Sequence, residues 1–507
     1  MSLHPYPTVV HMLHDAMLRA PQAPAILDGE RRLNYRELWQ CVLGAAQWLA
    51  GHRVGHADRV ALVASNSLDC AVAFHAIHAA RAQVVPVNPA DTERELTQIL
   101  SDAEPVLVLF DAGCQALVAP LLERLGLTGA MVGEQAQRLD RWRGDASVRA
   151  LPALPLPDDL ATLQYTGGTT GLPKGVNITH GQIAVNIAQR EAALPTGDDE
   201  VVLCVMPLFH VFATSMCLHL AANCRGLLVI LARYRPDAVL DAIAVHRVTR
   251  LPAGPTIIAG LLAYEGLPSA DLGSLKAVYS GSAALPEAVL RRWEERVCCP
   301  IYEGYGQTEA GPVLTYQFEG ETRIAGTVGR ALPETEIQVV DTDTGSQVLP
   351  PGTAGEIRAR GPQIMSGYRN RPLETAAALR DGWLYTGDIG HLDADGVLTI
   401  SDRKKDMVIT GGYNVYPREV EEVLHAHPHV AEAAVVGRPD DYRGEIVVAY
   451  VAVRTGADTD AEALLAYCRL HLAPYKVPAR LHFVSALPRT AVGKLDKPAL
   501  RAMPAHP

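Results

Sequence analysis

Between Tyr165 and Gly175 the chain reads Tyr-Thr-Gly-Gly-Thr-Thr-Gly-Leu-Pro-Lys-Gly. Glycines let a backbone approach phosphate oxygens closely, and successive N–H groups form a nest for anions. Threonine hydroxyls add donors, and a lysine supplies a compact point charge. Thr166, Gly167, Gly168, Thr169, Thr170, Gly171 and Lys174 are therefore candidates for holding a polyphosphate. The loop is not a Walker A motif, which needs Gly-Lys followed by Ser or Thr where this chain has Pro-Lys-Gly. A plain surface loop would account for the glycines but not for three threonines around one lysine.

Four further segments carry weaker signals. Tyr305-Gly306-Gln307-Thr308-Glu309 sets a carboxylate beside a hydroxyl, oxygen chemistry that suits Mg2+ near phosphates, and adds a ring able to stack on a base. A strand-to-helix turn explains that pentapeptide equally well. Tyr385-Thr386-Gly387-Asp388 offers an acid next to glycine, as other nucleotide folds use for ribose hydroxyls. Ser401-Asp402-Arg403-Lys404-Lys405-Asp406 leads into Gly411-Gly412-Tyr413-Asn414-Val415-Tyr416-Pro417. Near the end, Gly493-Lys494-Leu495-Asp496-Lys497 puts a lysine on a glycine-preceded loop, which in isolation reads as a solvated tail.

These segments need elements to position them. Arg59–Val63 reads as a strand, Leu68 to Ala80 as a helix, Ala82 to Val87 as a strand, Thr92 to Ala103 as a helix and Pro105 to Phe110 as a strand. The pattern resumes near Leu228, Leu251, Ala277 and Ile301. Such alternation predicts an α/β fold, with a large N-terminal domain of parallel or mixed sheets covered by helices. From Ile337 to Tyr368, Val, Ile and Thr alternate with turn signals at Asp341–Gly345 and Pro350–Gly355, which predicts a small antiparallel β unit. The run after Asp402 marks the main boundary. It gives a domain of residues 1–402 and a small α+β C-terminal domain of residues 403–507.

Composition narrows the function classes. The 507 residues are 48% hydrophobic and 20% charged, which excludes a disordered chain. Lys and Arg number 45 against 56 Asp and Glu, a net charge of −11 that argues against nucleic acid or an anionic membrane surface as partner. Only seven of the 45 basic residues are Lys. Nine cysteines, without a CxxC pair, fit free thiols in a reducing cytoplasm. The N-terminus lacks the basic and apolar regions of a signal peptide. Val201 to Cys224 holds no charged residue and is long enough to span a bilayer, but Pro207, His210, His219 and Asn223 interrupt it. A core strand followed by a buried helix is expected there. His425, His427 and His429 look like a metal cluster, but Pro428 breaks the segment, so a helix end and turn is expected. Cys298 and Cys299 read as buried thiols.

In this order and at these spacings the five motifs resemble the adenylate-forming superfamily of acyl-CoA synthetases, peptide-synthetase adenylation domains and luciferases. The resemblance runs from the phosphate loop to the terminal lysine. It implies that Thr166 to Lys174 clamp the β- and γ-phosphates of ATP, and that Thr308 and Glu309 contact the α-phosphate and Mg2+. It implies adenine stacking for Tyr305, and an adenine and acyl lining for Gly281, Ser282 and Ala283. Asp388 and Arg403 match the ribose ligands, and Asp402 the hinge of a mobile C-terminal domain. Lys494 matches the lysine on the substrate carboxylate and α-phosphate, and Gly411 and Gly412 the loop that shapes the CoA tunnel.

Tyr-Thr-Gly-Gly-Thr-Thr-Gly looks most like the ligases for fatty acids. Met206 to Phe212 resembles the segment that gates the acyl pocket, with His210, Val211 and Phe212 lining it and the small Ala310 and Gly311 leaving it open. No second charge stands out there, so an apolar acyl or aryl acid is expected. The implied reaction consumes acid, ATP and CoA and releases AMP and pyrophosphate. A stand-alone enzyme that loads a separate carrier protein is the alternative. The chain ends soon after Lys494, so an acceptor is expected to diffuse in. A degenerate, purely binding member is a third reading, opposed by the intact Lys174, Glu309, Asp388, Arg403 and Lys494. The oligomeric state stays open, a homodimer being one option.

Overall fold

A computed structural model describes residues 5–134, 136–145, 147–148, 150–151, 153–166, 173–410, 413–440, 442–490 and 493–503. Among them the chain forms four sheets. The first has seven strands, with Gln83–Val87, Arg59–Val63, Leu107–Phe110 and Gly129–Met131 running parallel. At its other side lie the antiparallel strands β1 (Leu160–Thr166) and β2 (Lys174–Thr179). The second has nine strands. At its centre Leu227–Ile230, Val201–Cys204, Arg250–Ala253, β3 (Ala277–Ser280) and β4 (Ile301–Gly306) are parallel, followed by the antiparallel β5 (Val313–Tyr316).

The helix Leu68–Ala79 touches strands of both sheets. Every one of its residues is buried, so it has no polar face, and Asp69, His75 and His78 go inside with it. Helix α1 (His180–Ala193) starts where β2 ends. Thr179 accepts from the Gln182 N–H, and Gln182 returns to the Thr179 N–H, a reciprocal cap that fixes the turn. The expected helix after Thr92 begins at Glu93, with Thr92 as its cap.

The uncharged stretch is the strand Val201–Cys204 followed by helical residues Val211–Ala213, Thr214–His219 and Leu220–Asn223, with one turn in π geometry. Among the described residues no helix is long and apolar enough to cross a membrane.

The small antiparallel unit forms, but its bounds differ from expectation. It holds Glu336–Val340, Gly355–Arg360, Leu379–Arg380, β7 (Trp383–Leu392) and β8 (Leu398–Arg403). The short strand β6 (Gly367–Tyr368), which the alternation had grouped with this unit, pairs instead with β2 in the seven-stranded sheet. Asp402 lies inside β8, opposite Ile389, and not in a free linker. The last sheet spans Val408 to Phe483 and packs the amphipathic helix α4 (Pro417–Ala426) through Val420 and Leu424.

Eight of the nine cysteines are buried and Cys298 is exposed, so the adjacent pair is split between core and solvent. Cys298 ends helix α3 (Glu287–Val297) in a left-handed conformation, which turns it outward while Cys299 enters the core.

Candidate active site

The phosphate-loop candidates sit between β1 and β2, whose antiparallel register sets Thr166 opposite Lys174. Gly167, Gly168, Thr169, Thr170 and Gly171 lie outside the described residues. Lys174 Nζ stands 4.5 Å from the centre of the Tyr368 ring. A cation above a ring face is held without losing its charge to an acid. Tyr368 in turn donates from Oη to Glu309 Oε1 at 2.7 Å. The strand carrying Tyr368 is therefore what joins the lysine of one motif to the acid of another.

Glu309 and Thr308 form a single 3-10 turn between β4 and β5. Two constraints fix it. At Gly306 a Cβ would lie 1.9 Å from the Pro312 carbonyl oxygen, so only glycine lets the chain double back there. Beyond the turn, Asn186 on α1 donates to the Val313 carbonyl and accepts from its N–H at 2.8 and 3.1 Å. Helix α1 thus ties the end of the β1–β2 hairpin to the strand behind Glu309.

Asp388 lies on β7 opposite Arg403 on β8, and their side chains pair at 3.3 Å. Tyr305 donates to the other Asp388 oxygen at 2.7 Å. Burial raises the Asp388 pKa above the usual carboxylate value, while Arg403 and Tyr305 hold it down. Lys494 joins this group. Its pKa is lowered to about 8, mainly by burial and then by Arg403, and Asp388 and Glu309 oppose the shift. The structure therefore brings Lys174, Tyr305, Glu309, Asp388, Arg403 and Lys494 into one connected cluster, although the sequence spreads them over 321 positions.

His210 faces the same cluster. Burial and the nearby Lys494 lower its pKa to about 3, and Nδ1 accepts from the Phe212 N–H at 3.2 Å, so the ring is neutral. Phe212 is buried against Gly281, where a Cβ would lie 2.8 Å from the ring. Ser282 takes a φ of 69°, and Ala283 is exposed beyond it. Ala310 is fully buried. Gly311 turns at a φ of 77°, close to the Gln363 carbonyl. Val211 is half-buried at the start of the helical run. Gly411 and Gly412 lie outside the described residues.

Asp402 is nearly buried and held on both oxygens. Oδ1 accepts from the Arg403 N–H at 2.7 Å and Oδ2 from the Arg418 N–H at 2.9 Å. Lys497 Nζ lies 4.0 Å from Asp402 and 3.1 Å from Glu421. Burial raises the Asp402 pKa, and Lys497 works against that rise.

Glu309 fits a hard cation. Tyr368 takes one of its oxygens, and among the described residues the other has no hydrogen-bond partner. The described residues offer no group of three His, Cys, Asp or Glu side chains able to hold a metal. A cation here would depend on phosphate and water oxygens as well, which is how Mg2+ is usually bound.

The AMP-binding enzyme family matches residues 13–369, and the AMP-binding enzyme C-terminal domain matches residues 419–494. This chain belongs to the AMP-binding enzymes. It is 36% identical over 524 residues to the long-chain-fatty-acid–CoA ligase of Bacillus subtilis (strain 168), covering 97% of this chain and 93% of that one. Among solved structures it superposes on ATP-bound MatB from Rhodopseudomonas palustris with a TM-score of 0.91 at 32% identity, covering 99% and 98% of the two chains. It superposes on the anthranilate CoA ligase AuaEII in complex with anthranoyl-AMP with a TM-score of 0.93 at 25% identity, with the same coverage.

Sequence reasoning missed Tyr368 and Lys497. Tyr368 had no signal, because it lies in a two-residue strand 59 positions from Glu309. Lys497 had one, as a rare lysine in an arginine-rich chain, but its partners Glu421 and Asp402 are distant in sequence. Lys404, noted only as standing beside Asp402, is committed to Glu356 and to the Thr342 carbonyl, both at 2.8 Å.

Proposed function

We propose that the acid taken by this AMP-binding enzyme is an apolar acyl or aryl acid, and that Lys494, Glu309, Asp388 and Arg403 carry its activation. The chain is an acid–thiol ligase. A carboxylate attacks the α-phosphorus of ATP to give an acyl-adenylate and pyrophosphate, and the CoA thiol then displaces AMP. The observation that supports the site reading is the convergence of Arg403, Tyr305 and Asp388, paired at 3.3 and 2.7 Å, with the buried Lys494 lying in their field and that of Glu309. Two anions must meet in the first step, and a charged ammonium at that point offsets their repulsion. In this reading Arg403 and Asp388 orient the ribose, Tyr305 faces the adenine, and Lys174 with Thr166 holds the outer phosphates. Glu309 would help hold Mg2+, which would supply charge neutralisation on the phosphates.

The second step needs a different lining, since CoA must reach the carbon that Lys494 has served. Asp402 as hinge, with residues 403–507 as the moving part, would take Lys494 out and bring the Gly411–Gly412 loop in. The apolar acid reading is supported by the buried Phe212 against Gly281, the buried Ala310 and the neutral His210. It is supported also by relatives that act on a long-chain fatty acid and on anthranilate. None of these relatives favours the carrier-loading alternative. The buried thiols suit a reducing, cytoplasmic setting.

The test is a panel of carboxylic acids, palmitate and cinnamate among them, with ATP, Mg2+ and CoA, reading AMP and thioester together. CoA-dependent AMP release with an apolar acid is expected. Accumulated adenylate that CoA does not discharge would overturn the CoA reading. No pyrophosphate release with any acid would revive the binding-protein reading.

A further inference from the structure

Lys494 is tied locally to Thr490 and Gly493. Thr490 N–H donates to the Lys494 carbonyl and Gly493 N–H to the Thr490 carbonyl, both at 2.8 Å, and Lys494 N–H donates to Thr490 Oγ1 at 3.2 Å. These bonds are local and would survive any movement of the turn as a unit. What aims the turn at the cluster is a different set of bonds. Arg489 donates from one terminal nitrogen to Thr256 Oγ1 at 2.8 Å and to the Gly493 carbonyl at 2.9 Å. Thr256 Oγ1 donates to the same carbonyl at 3.1 Å. Thr256 stands in the first turn of helix α2 (Pro255–Ala263), 237 positions from Gly493. Its hydroxyl makes no cap for its own helix, which has no side-chain cap bond. Glu432 holds the other arm of Arg489 within the C-terminal segment.

We propose that Thr256 and Arg489 are positioning residues. They latch the Lys494 turn onto helix α2 for adenylate formation, and the latch must open before the thioester step. The idea rests on the two-step reading above. The geometry separates the bonds into two classes: Arg489 to Glu432 lies on one side of the proposed hinge, while all bonds to Thr256 cross it. A swing that carries Lys494 away breaks only the second class. Thr256 bonds to Arg489 and to the Gly493 carbonyl, so in this reading it acts through the placement of Lys494.

The experiment measures each half-reaction separately in the full-length enzyme, with whichever of palmitate and cinnamate the unaltered chain turns over better. Adenylate formation is read as pyrophosphate release, and thioester formation is read from chemically prepared acyl-adenylate and CoA. Thr256→Val keeps the side-chain shape and lies outside the C-terminal sheet. It should lower the rate of adenylate formation roughly tenfold, with KM for the acid unchanged, and leave thioester formation as fast or faster. Thr256→Ser should restore adenylate formation, and Arg489→Lys should fall between, since an ammonium cannot serve two acceptors with the fork geometry of arginine. Equal loss in both half-reactions, no loss in either, or failure of Thr256→Ser to restore the first would overturn the latch. An unaltered enzyme that yields no pyrophosphate with either acid would overturn the two-step reading instead, which keeps the two failures apart.

Discussion

Lys494 gives the sharpest handle on the proposed chemistry, which requires its charge while its burial makes that charge costly. Its pKa in the docked arrangement is about 8, against an ordinary lysine value of 10.5. The difference is worth at most about 3.5 kcal/mol against docking the charged form, at about 1.4 kcal/mol per unit. The sign follows from the direction. Docking is opposed in full below pH 8, and the opposition fades as pH rises from 8 towards the ordinary value, where the amine is neutral in both arrangements. Catalysis runs the other way, since only the ammonium offsets the meeting of carboxylate and phosphate. With a pKa near 8 the charged fraction is about nine-tenths at pH 7, half at pH 8 and a tenth at pH 9. For pyrophosphate release with acid saturating and ATP limiting, kcat/KM should therefore fall along an alkaline limb centred near 8. At saturating ATP the limb should move up, because phosphate charge favours the ammonium. Lys494→Arg, which keeps its proton, should lose the limb, and Lys494→Ala should cost roughly a hundredfold or more in adenylate formation. Thioester formation from prepared adenylate should show neither the limb nor that loss. The reasoning is refuted if the same limb persists in Lys494→Arg, or if Lys494→Ala slows both half-reactions equally.

Three further outcomes are expected. Tyr368→Phe removes the donor to Glu309 and should raise the Mg2+ concentration needed for half-maximal pyrophosphate release several-fold, with little change in melting temperature; an unchanged Mg2+ dependence would argue against Glu309 as the cation's ligand. Gly281→Ala places a methyl 2.8 Å from the Phe212 ring and should raise KM for the acid more than KM for ATP, as steady-state kinetics would show. Burial lowers the pKa of His75 to about 4 and of His180 and His219 to about 3, and His78 shifts the same way. The folded state then binds fewer protons than the unfolded one, so stability should be full above about pH 6.5 and fall as pH drops towards those values, by up to about 1.4 kcal/mol per unit for each histidine. Urea midpoints against pH would show it, and His219→Phe should flatten the slope.

The parts of the fold that could be read beforehand are those carried by local pattern. Arg59–Val63 was legible to the residue because an apolar strand between turns has no competing reading. Helix Leu68–Ala79 was legible by length, although its complete burial left no amphipathic face to read. The small β unit was legible in kind but not in extent. Gly367–Tyr368 is too short to carry a pattern, and its place beside β2 is set by tertiary pairing. The site divides in the same way. Lys174, Glu309, Asp388 and Lys494 announced themselves through neighbours in sequence. Tyr368, Thr256 and Arg489 act through neighbours in space, and a threonine at a helix start reads locally as nothing more than a helix start.

The split between Cys298 and the remaining thiols has a practical consequence. Burial pushes the pKa of Cys224 and Cys468 up to about 11 and of Cys41, Cys114 and Cys299 up to about 12, so these are poor nucleophiles as well as inaccessible ones. Cys298 is the exposed one, at the end of a helix that packs against α4. A maleimide fluorophore added to the natural sequence should attach there alone, on a helix that packs against the segment proposed to swing. The chain thus carries its own labelling position for watching that motion in real time.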